Sequence, residues 1–437
     1  MSLQSWKEEF EGKKILIYGY GIEGRSTYRL IRRLCPDQII TIADGGKGKE
    51  VAEKETVNTI CISDRDLDLA CYDLVMKAPG VVLKPGSDLS NITGQAQLFL
   101  KHYRNQTIGI TGTKGKSTTT SLVAAILKEK YPTVLVGNIG IACFDAIDEM
   151  ENGALAAFEI SCHQLEYCPY SPHIGVYLNL FEEHLDHYGS FKAYGDAKFN
   201  NIAHQGKNDI AIMHPSLKQY IDRVNSHLLL IIGKDIQADG KTLLLPDGVL
   251  DASDCSLIGE HNYLNLAVAC TIGQIYGISS QQMSDAIHKF HPLAHRLQDL
   301  GENRNGIRFV NDSISTIGQA CIQALESIEN VDVVLVGGKD RGIDYTDLEN
   351  YLASRHVHVL FMYAAGKRIF EEMKAKGLDR DGLEYVENLC QAVQKAEKIC
   401  AEHHVVLLSP AASSYDHFKN FEERGEVFTR LAMGCDQ

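Results

Sequence analysis

A chain of 437 residues, 44% hydrophobic and 23% charged, is too long for one ordinary core and too apolar for a disordered tract, so two to four globular domains are expected. Its 43 Lys and Arg against 57 Asp and Glu leave a net charge of −14, which argues against nonspecific binding to nucleic acid or an anionic membrane; local sites can still hold specific anions. Twelve cysteines with no C-x-x-C pair, a polar opening MSLQSWKEEFEGKK and no apolar run of transmembrane length point to a reduced, cytoplasmic protein without membrane insertion.

The first elements read as strand, glycine turn and helix: KKILIYGYGIEGRSTYRLIRRL. The strand QIITIAD follows and ends at Asp44, and DLVMKAPG is a later strand closing on a Pro-Gly turn. After the helix-like NITGQAQLFLKHY the pattern restarts at QTIGITGTKGKS and runs through TVLVGN, ALAAFEIS, HIGVYLNL, DIAIMH and HLLLIIG. A third set comprises GIRFVNDS, VDVVLVGG, HVLFMYAAG and HVVLLSPA. Strands alternating with helices predict parallel sheets in three α/β domains, over residues 1–100, 101–294 and 295–437. The expected fold is a Rossmann-like N-terminal domain, a central P-loop ATPase domain with a mostly parallel sheet, and a C-terminal Rossmann-like domain.

In GTKGKST the backbone N–H groups of Gly112, Thr113, Lys114, Gly115, Lys116 and Ser117 can wrap a phosphate in front of a helix N-terminus. Lys116 would neutralise the β/γ oxygens, and Ser117 or Thr118 would reach Mg²⁺. Ile110 stands where the usual motif has its first glycine. Glu159, in FEISCHQLE, and His184, in LNLFEEHLDHYG, lie at the ends of later strands of the same domain, where open α/β sheets gather ligands. By residue type alone Glu159 suits magnesium, His184 reads as a surface histidine and Lys198 as a helix lysine on a solvated face. Cys162 and His163 make a weak nucleophile pair, because neighbours on a strand point to opposite faces.

Seven stretches occur in one order: GITGTKGKST, FEISCHQLE, LNLFEEHLDHYGSFKAYGDAK, GEHNYLN, AHRLQ, FVNDSIST and SPAASSYDHFKNFEERG. Together they resemble the Mur ligases over nearly the whole chain, and the last is the stretch most particular to the glutamate-adding member. The resemblance implies an enzyme, an ATP-dependent carboxylate–amine ligase of peptidoglycan precursor synthesis. It would phosphorylate the carboxylate of UDP-N-acetylmuramoyl-L-alanine and let the amine of D-glutamate displace phosphate, most simply as a monomer.

Carried over by position, the resemblance places Lys116 on the migrating phosphoryl group and makes Ser117, Glu159 and His184 magnesium-binding, with Thr118 at the phosphate. Lys198 would carry a carbamate that orients a second Mg²⁺. Asn262 and Asn265 would lie near adenine, His295 and Arg296 near the hinge to the last domain, and Asp312 at the ribose. Thr316, Arg341, Ser414 and Phe421 would receive glutamate. In the first domain Gly19, Gly21 and Gly24 match G-x-G-x-x-G, and the loop with Ile22 and Glu23 would meet uridine diphosphate. Asp44 would bond uracil, Ala78, Pro79 and Gly80 would line the pyrophosphate, and Asn138, Ser161 and Gln164 would reach the sugar and peptide end.

Two positions depart from that pattern. Ile314 replaces a lysine on the glutamate side, which keeps L-glutamate or another amino acid open. Glu23 replaces a small hydroxyl residue, and either rejects a phosphate-rich ligand or pairs with Arg25. Rival readings are a folylpolyglutamate synthase or another Mur ligase, a nicotinamide-dependent oxidoreductase using GYGIEGRS, and a noncatalytic nucleotide-binding scaffold. The first domain speaks against the folate enzyme, and the full set of lysines and metal-binding positions against the last two.

Overall fold

The computed structural model describes residues 3–45, 52, 55, 58–64, 67–84, 86–253, 255, 257, 259–290 and 294–434. The chain divides into two compact units, Met1–Cys255 with His261–Phe290, and Ser256–Glu260 with His291–Gln437.

The first unit contains two parallel sheets in succession. Strands β1 (Ile15–Tyr18), β2 (Ile40–Ala43), β3 (Thr59–Ile62), β4 (Leu74–Lys77) and β5 (Ile92–Thr93) lie in the order β3-β2-β1-β4-β5, all parallel. The order reverses beside β1, so the glycine loop after it opens where such sheets take ligands. Helix Ile22–Leu34 packs back on this loop, and Gly24 is obligatory there: a Cβ would stand 2.2 Å from the Gly19 carbonyl oxygen. Strand β3 was not anticipated from the sequence; only β1, β2 and β4 carry long apolar runs.

The second sheet orders β6 (Thr107–Thr111), β7 (Thr133–Gly137), β8 (Leu155–Glu159), β9 (Ile174–Tyr177), β10 (Ile210–Met213) and β11 (Leu228–Ile231) as β11-β10-β9-β6-β8-β7. Because β6 lies between β8 and β9, with Ile110 opposite Glu159 and Thr111 opposite Tyr177, three strand ends open side by side. One apolar core joins the two sheets: Ile15, Ile17 and Ile42 share it with Phe99, Phe144 and Phe158. Trp6 completes it, its indole N–H donating to the Tyr103 hydroxyl at 2.8 Å. A three-stranded antiparallel sheet, β12 (Gln237–Asp239), β13 (Thr242–Leu245) and β14 (Gly248–Asp251), follows, also unanticipated. Its turn signals are the Asp-Gly pairs at 239–240 and 247–248.

The second unit holds one mixed sheet. Strands β15 (Gln298–Glu302), β16 (Arg308–Asn311), β17 (Val331–Gly337), β18 (His358–Met362), β19 (Leu383–Val386) and β20 (Val405–Leu408) run in the order β15-β16-β20-β17-β18-β19. All neighbours are parallel except β15 and β16. Apolar cores cover both faces, one with Val334, Val336 and Phe361, the other with Leu335, Leu360 and Phe428, which is why the strands read as unbroken apolar runs.

Candidate active site

The loop between β6 and helix Lys116–Lys128 closes on its own neighbours. Gly115 adopts a φ of 82°, and a Cβ there would approach the Asn265 side-chain oxygen to 2.8 Å. Glycine also gives the helix no side-chain cap, so the first-turn N–H groups face the loop's concavity. Asn179 holds the loop open: its Oδ1 accepts from the backbone N–H groups of Thr113 (3.1 Å) and Lys114 (2.8 Å), while its Nδ2 donates to the Lys114 carbonyl at 3.0 Å. The Lys116 ammonium donates to the Thr113 carbonyl at 2.9 Å. Lys114 pairs with Glu183 at 2.8 Å. Burial pushes the Glu183 carboxyl up, yet Lys114, Lys116 and His184 together hold it below its ordinary value.

Glu159 ends β8 and is 1% exposed. Asn138 donates to its Oε1 at 3.1 Å, whereas Oε2 is buried without a hydrogen-bond partner. Lys198, on helix Phe191–Ala203, is 2% exposed and donates to the Gly112 carbonyl at 2.7 Å. It is therefore not on a solvated face. Burial, with Lys116 adding to it, brings its ammonium down to about 7. His184 follows β9 in left-handed backbone geometry, φ 56°, with its ring 5.0 Å from that of His163. Cys162 and His163 lie on a short helix, Cys162–Leu165, not on a strand, and their Sγ and Nδ1 atoms approach to 3.5 Å. Asn262 and Asn265 are buried on helix Glu260–Ile275, with Asn265 against the phosphate loop.

The first sheet contributes a cavity between its glycine loop and the segment after β8, lined by Glu23, Lys77, Pro79, Thr93, Gln164 and others. Ser161 caps the short helix by accepting from the Gln164 N–H at 3.3 Å, and Gln164 Oε1 accepts from the Ser161 N–H at 2.8 Å. The other end of that amide donates to Glu23, which thus pairs with Gln164. Asp44 accepts from the Tyr20 N–H at 2.7 Å, anchoring the glycine loop. The Ala78 N–H donates to the Tyr18 carbonyl at 2.8 Å, setting the Ala78–Pro79–Gly80 turn against Gly19, while Gly21 and Ile22 are exposed.

Residues 110–273 match the Mur ligase middle domain. UDP-N-acetylmuramoylalanine–D-glutamate ligases from Bacillus cereus and Bacillus anthracis are each 33% identical to the chain, over 96% of it and 97% of their own length. The chain belongs to the Mur ligase family. Mur ligases are ATP-dependent amide-bond ligases, and this chain is one of these enzymes. Among solved structures, UDP-N-acetylmuramate–alanine ligase MurC of Thermotoga maritima shares its fold, with a TM-score of 0.58, 19% identity and coverage of 96% of this chain and 98% of that one. MurF of Thermotoga maritima, determined in complex with ADP, gives 0.57 at 16% identity, covering 90% and 95%. Family membership leaves the nicotinamide reading without support.

The remaining positions expected of a Mur ligase lie in the second unit. Asp312 is buried, accepts from the Ser315 and Ser409 hydroxyls, and also from the Leu297 N–H at 3.2 Å. Burial raises its carboxyl to about 6 against those bonds. His295 packs beneath the last helix, its Nδ1 3.1 Å from the Asn311 amide, and half-buried Arg296 follows it. Ser414 is buried, Thr316 and Phe421 are half-buried and Arg341 is exposed. Sequence reading missed Lys77, Asn179, Glu183 and Arg424. A lysine ending the apolar run LVMK and an arginine inside FEERG were signals, since neither charge suits its surroundings without a purpose. No helix among the described residues is long and apolar enough to cross a membrane.

Proposed function

We propose that this Mur ligase joins the alanyl carboxylate of UDP-N-acetylmuramoyl-L-alanine to the amino group of D-glutamate, in the cytoplasm and as a monomer. The observation that carries this reading is the meeting of a phosphate loop, Glu159 and Lys198 at neighbouring strand ends, in a chain similar to named D-glutamate ligases along nearly its whole length. The substrate carboxylate oxygen attacks the γ-phosphorus of ATP and the bond to ADP breaks, leaving an acyl phosphate. The glutamate amine then attacks the acyl carbon, loses a proton, and phosphate departs as the amide forms.

Lys116 exchanges the Thr113 carbonyl for the migrating phosphoryl oxygens, with the Gly115, Lys116 and Ser117 N–H groups around them and Thr118 behind; the Thr113 and Lys114 N–H groups, expected to join them, are taken by Asn179. Asn262 and Asn265 take the adenine side, and Asp312 and Arg296 the ribose and hinge. The orphaned Glu159 Oε2 fits a cation. Among the described residues no three His, Cys, Asp or Glu side chains form a ready metal cluster, so Ser117, His184 and Lys198 as a carbamate would complete the shell. Magnesium, when bound, neutralises charge on the phosphoryl oxygens. The lowered basicity of Lys198 supplies the neutral amine that carbamate formation needs. Gly21, Ile22, Glu23, Asp44, Ala78, Pro79, Gly80, Asn138, Ser161 and Gln164 serve the UDP-sugar, and Thr316, Arg341, Ser414 and Phe421 the amino acid.

Phosphate release from ATP, Mg²⁺ and UDP-N-acetylmuramoyl-L-alanine, with D-Glu, L-Glu, Lys and meso-diaminopimelate offered separately, tests the reading. Release with D-Glu alone is expected. Release with L-Glu instead would move the specificity to the side opened by Ile314, and release with none would end the muramoyl assignment.

A further inference from the structure

Three cations, Lys339, Arg341 and Arg368, lie in or against the loop after β17, and two of them are engaged. Lys339 pairs with Asp416 at 2.9 Å, and its backbone N–H donates to the Ser413 carbonyl at 2.7 Å, tying the loop's start to the segment after β20. Arg368, on helix Tyr363–Ala375, reaches back over the same loop. Its Nε and Nη2 donate to the two Asp340 oxygens at 2.8 and 3.1 Å. Nη2 donates as well to the Ile343 carbonyl at 2.8 Å, and Nη1 to Glu372 at 2.8 Å. The guanidinium lies over the ring of buried Tyr345, 5.2 Å from its centroid. Asp340 also accepts from the Gly342 N–H at 2.9 Å, closing a turn around Arg341. Arg341 is therefore held on both flanks, while its own guanidinium is exposed and makes no hydrogen bond or ion pair among the described residues.

β20 and β17 are neighbours where the strand order of this sheet reverses, the place where open α/β sheets take ligands. We propose that Arg368 is a positioning residue for the amino-acid substrate, acting through Arg341. By gripping Asp340 and Ile343 it fixes the backbone on either side, so that the free guanidinium meets a carboxylate without first ordering the loop. That the carboxylate belongs to the amino acid rests on the proposed function. Order imposed before binding removes an entropic cost from the binding step. The clamp thus lowers KM for this one substrate and leaves the bond-making steps alone. A planar fork is needed for it, since one group has to span both Asp340 oxygens and a carbonyl three residues on.

Phosphate release with the amino acid varied, at saturating ATP and UDP-N-acetylmuramoyl-L-alanine, tests this on wild type, Arg368→Gln, Arg368→Lys, Asp340→Asn, Arg341→Gln and the double variant Arg341→Gln with Arg368→Gln. Arg368→Gln is expected to raise KM for the amino acid at least about fivefold, with kcat and KM for ATP unchanged. Asp340→Asn should raise the same KM, and Arg368→Lys should recover little. The double variant should match Arg341→Gln alone, because a clamp without its cation positions nothing. Hydrogen exchange over residues 338–345, which needs no substrate, should quicken in Arg368→Gln. Additive losses in the double variant, a fall in kcat with KM unchanged, or unaltered exchange overturns the proposal. A KM shift for an amino acid other than D-glutamate would keep the positioning role and end the D-glutamate reading. Release with no amino acid would end both, leaving quickened exchange as the mark of a clamp that serves the loop only.

Discussion

Gln164 Nε2 donates to Glu23 Oε1 at 2.7 Å, tying the glycine loop of the first sheet to the capped helix behind β8. Burial raises the Glu23 carboxyl to about 7, against the opposing Gln164 bond and the Lys77 charge. Its proton is therefore held more tightly in the folded chain than in the unfolded one. The stability it allows is complete below the ordinary carboxylate value and is lost as pH rises through about 7. Glu23→Gln keeps an acceptor for Gln164 and removes the ionisation. Urea unfolding at pH 4 and pH 8 should show the variant matching wild type at the lower pH and exceeding it by roughly 1–2 kcal/mol at the higher. A difference that does not change with pH would refute the assignment.

The Lys114–Glu183 pair presents the phosphate loop with an internal anion. Glu183→Gln should free Lys114 for nucleotide phosphate and tighten magnesium-free ADP binding about three- to tenfold, an effect the double variant with Lys114→Gln should lack. Calorimetry in EDTA reads both. Weaker ADP binding by Glu183→Gln would mean that the carboxylate orders the loop instead of competing for it.

Lys198 reaches Gly112 inside the loop and is proposed to react with CO₂. Lys198→Ala should lower kcat by about 10²–10³-fold, the scale of a lost electrostatic contact at a transferring phosphoryl group, while ADP binding persists. Carbon-13 NMR of enzyme in labelled bicarbonate should show a carbamate resonance that the variant lacks. Its absence from active wild type would leave Lys198 a structural donor to Gly112.

Arg424 is fully buried and donates to the Ser313 hydroxyl at 3.0 Å, the Ser313 carbonyl at 2.7 Å and the Ala412 carbonyl at 3.0 Å. Burial lowers its guanidinium to about 10. Arg424→Met should destabilise the second unit by about 3–5 kcal/mol through three orphaned acceptors, and Arg424→Lys should recover little, since an ammonium cannot span the same fork. Calorimetric unfolding should show the shift in the transition of this unit. Full recovery by lysine would mean that charge alone is needed there.

Parallel strands covered on both faces are written as long apolar runs, so β1, β6, β9, β17 and β20 were legible as ILIY, TIGIT, IGVY, VDVVLVG and VVLL. The phosphate loop was legible for a similar reason, since glycine spacing, lysine and a following helix are a local requirement of phosphate binding. β3 and the antiparallel β12–β14 sheet were not, because short, partly exposed strands lack such runs.

Side-chain environments were the tertiary structure's to decide. Helix spacing alone reads Lys198 as solvated, yet packing Phe191–Ala203 over β6 and β9 buries it against Gly112. Glu23 pairs with Gln164, not with Arg25, because the core shared by the two sheets brings residues 141 positions apart into contact. Lys77, at the end of an apolar run, is buried because β5 sets Thr93 near it and the segment after β8 forms the opposite wall of their shared cavity. Local sequence determines which backbone groups can bend around a phosphate. Whether a charge is solvated, paired or left waiting for an anion depends on what distant segments place around it, because desolvation and Coulomb energy are set by all the neighbours in space.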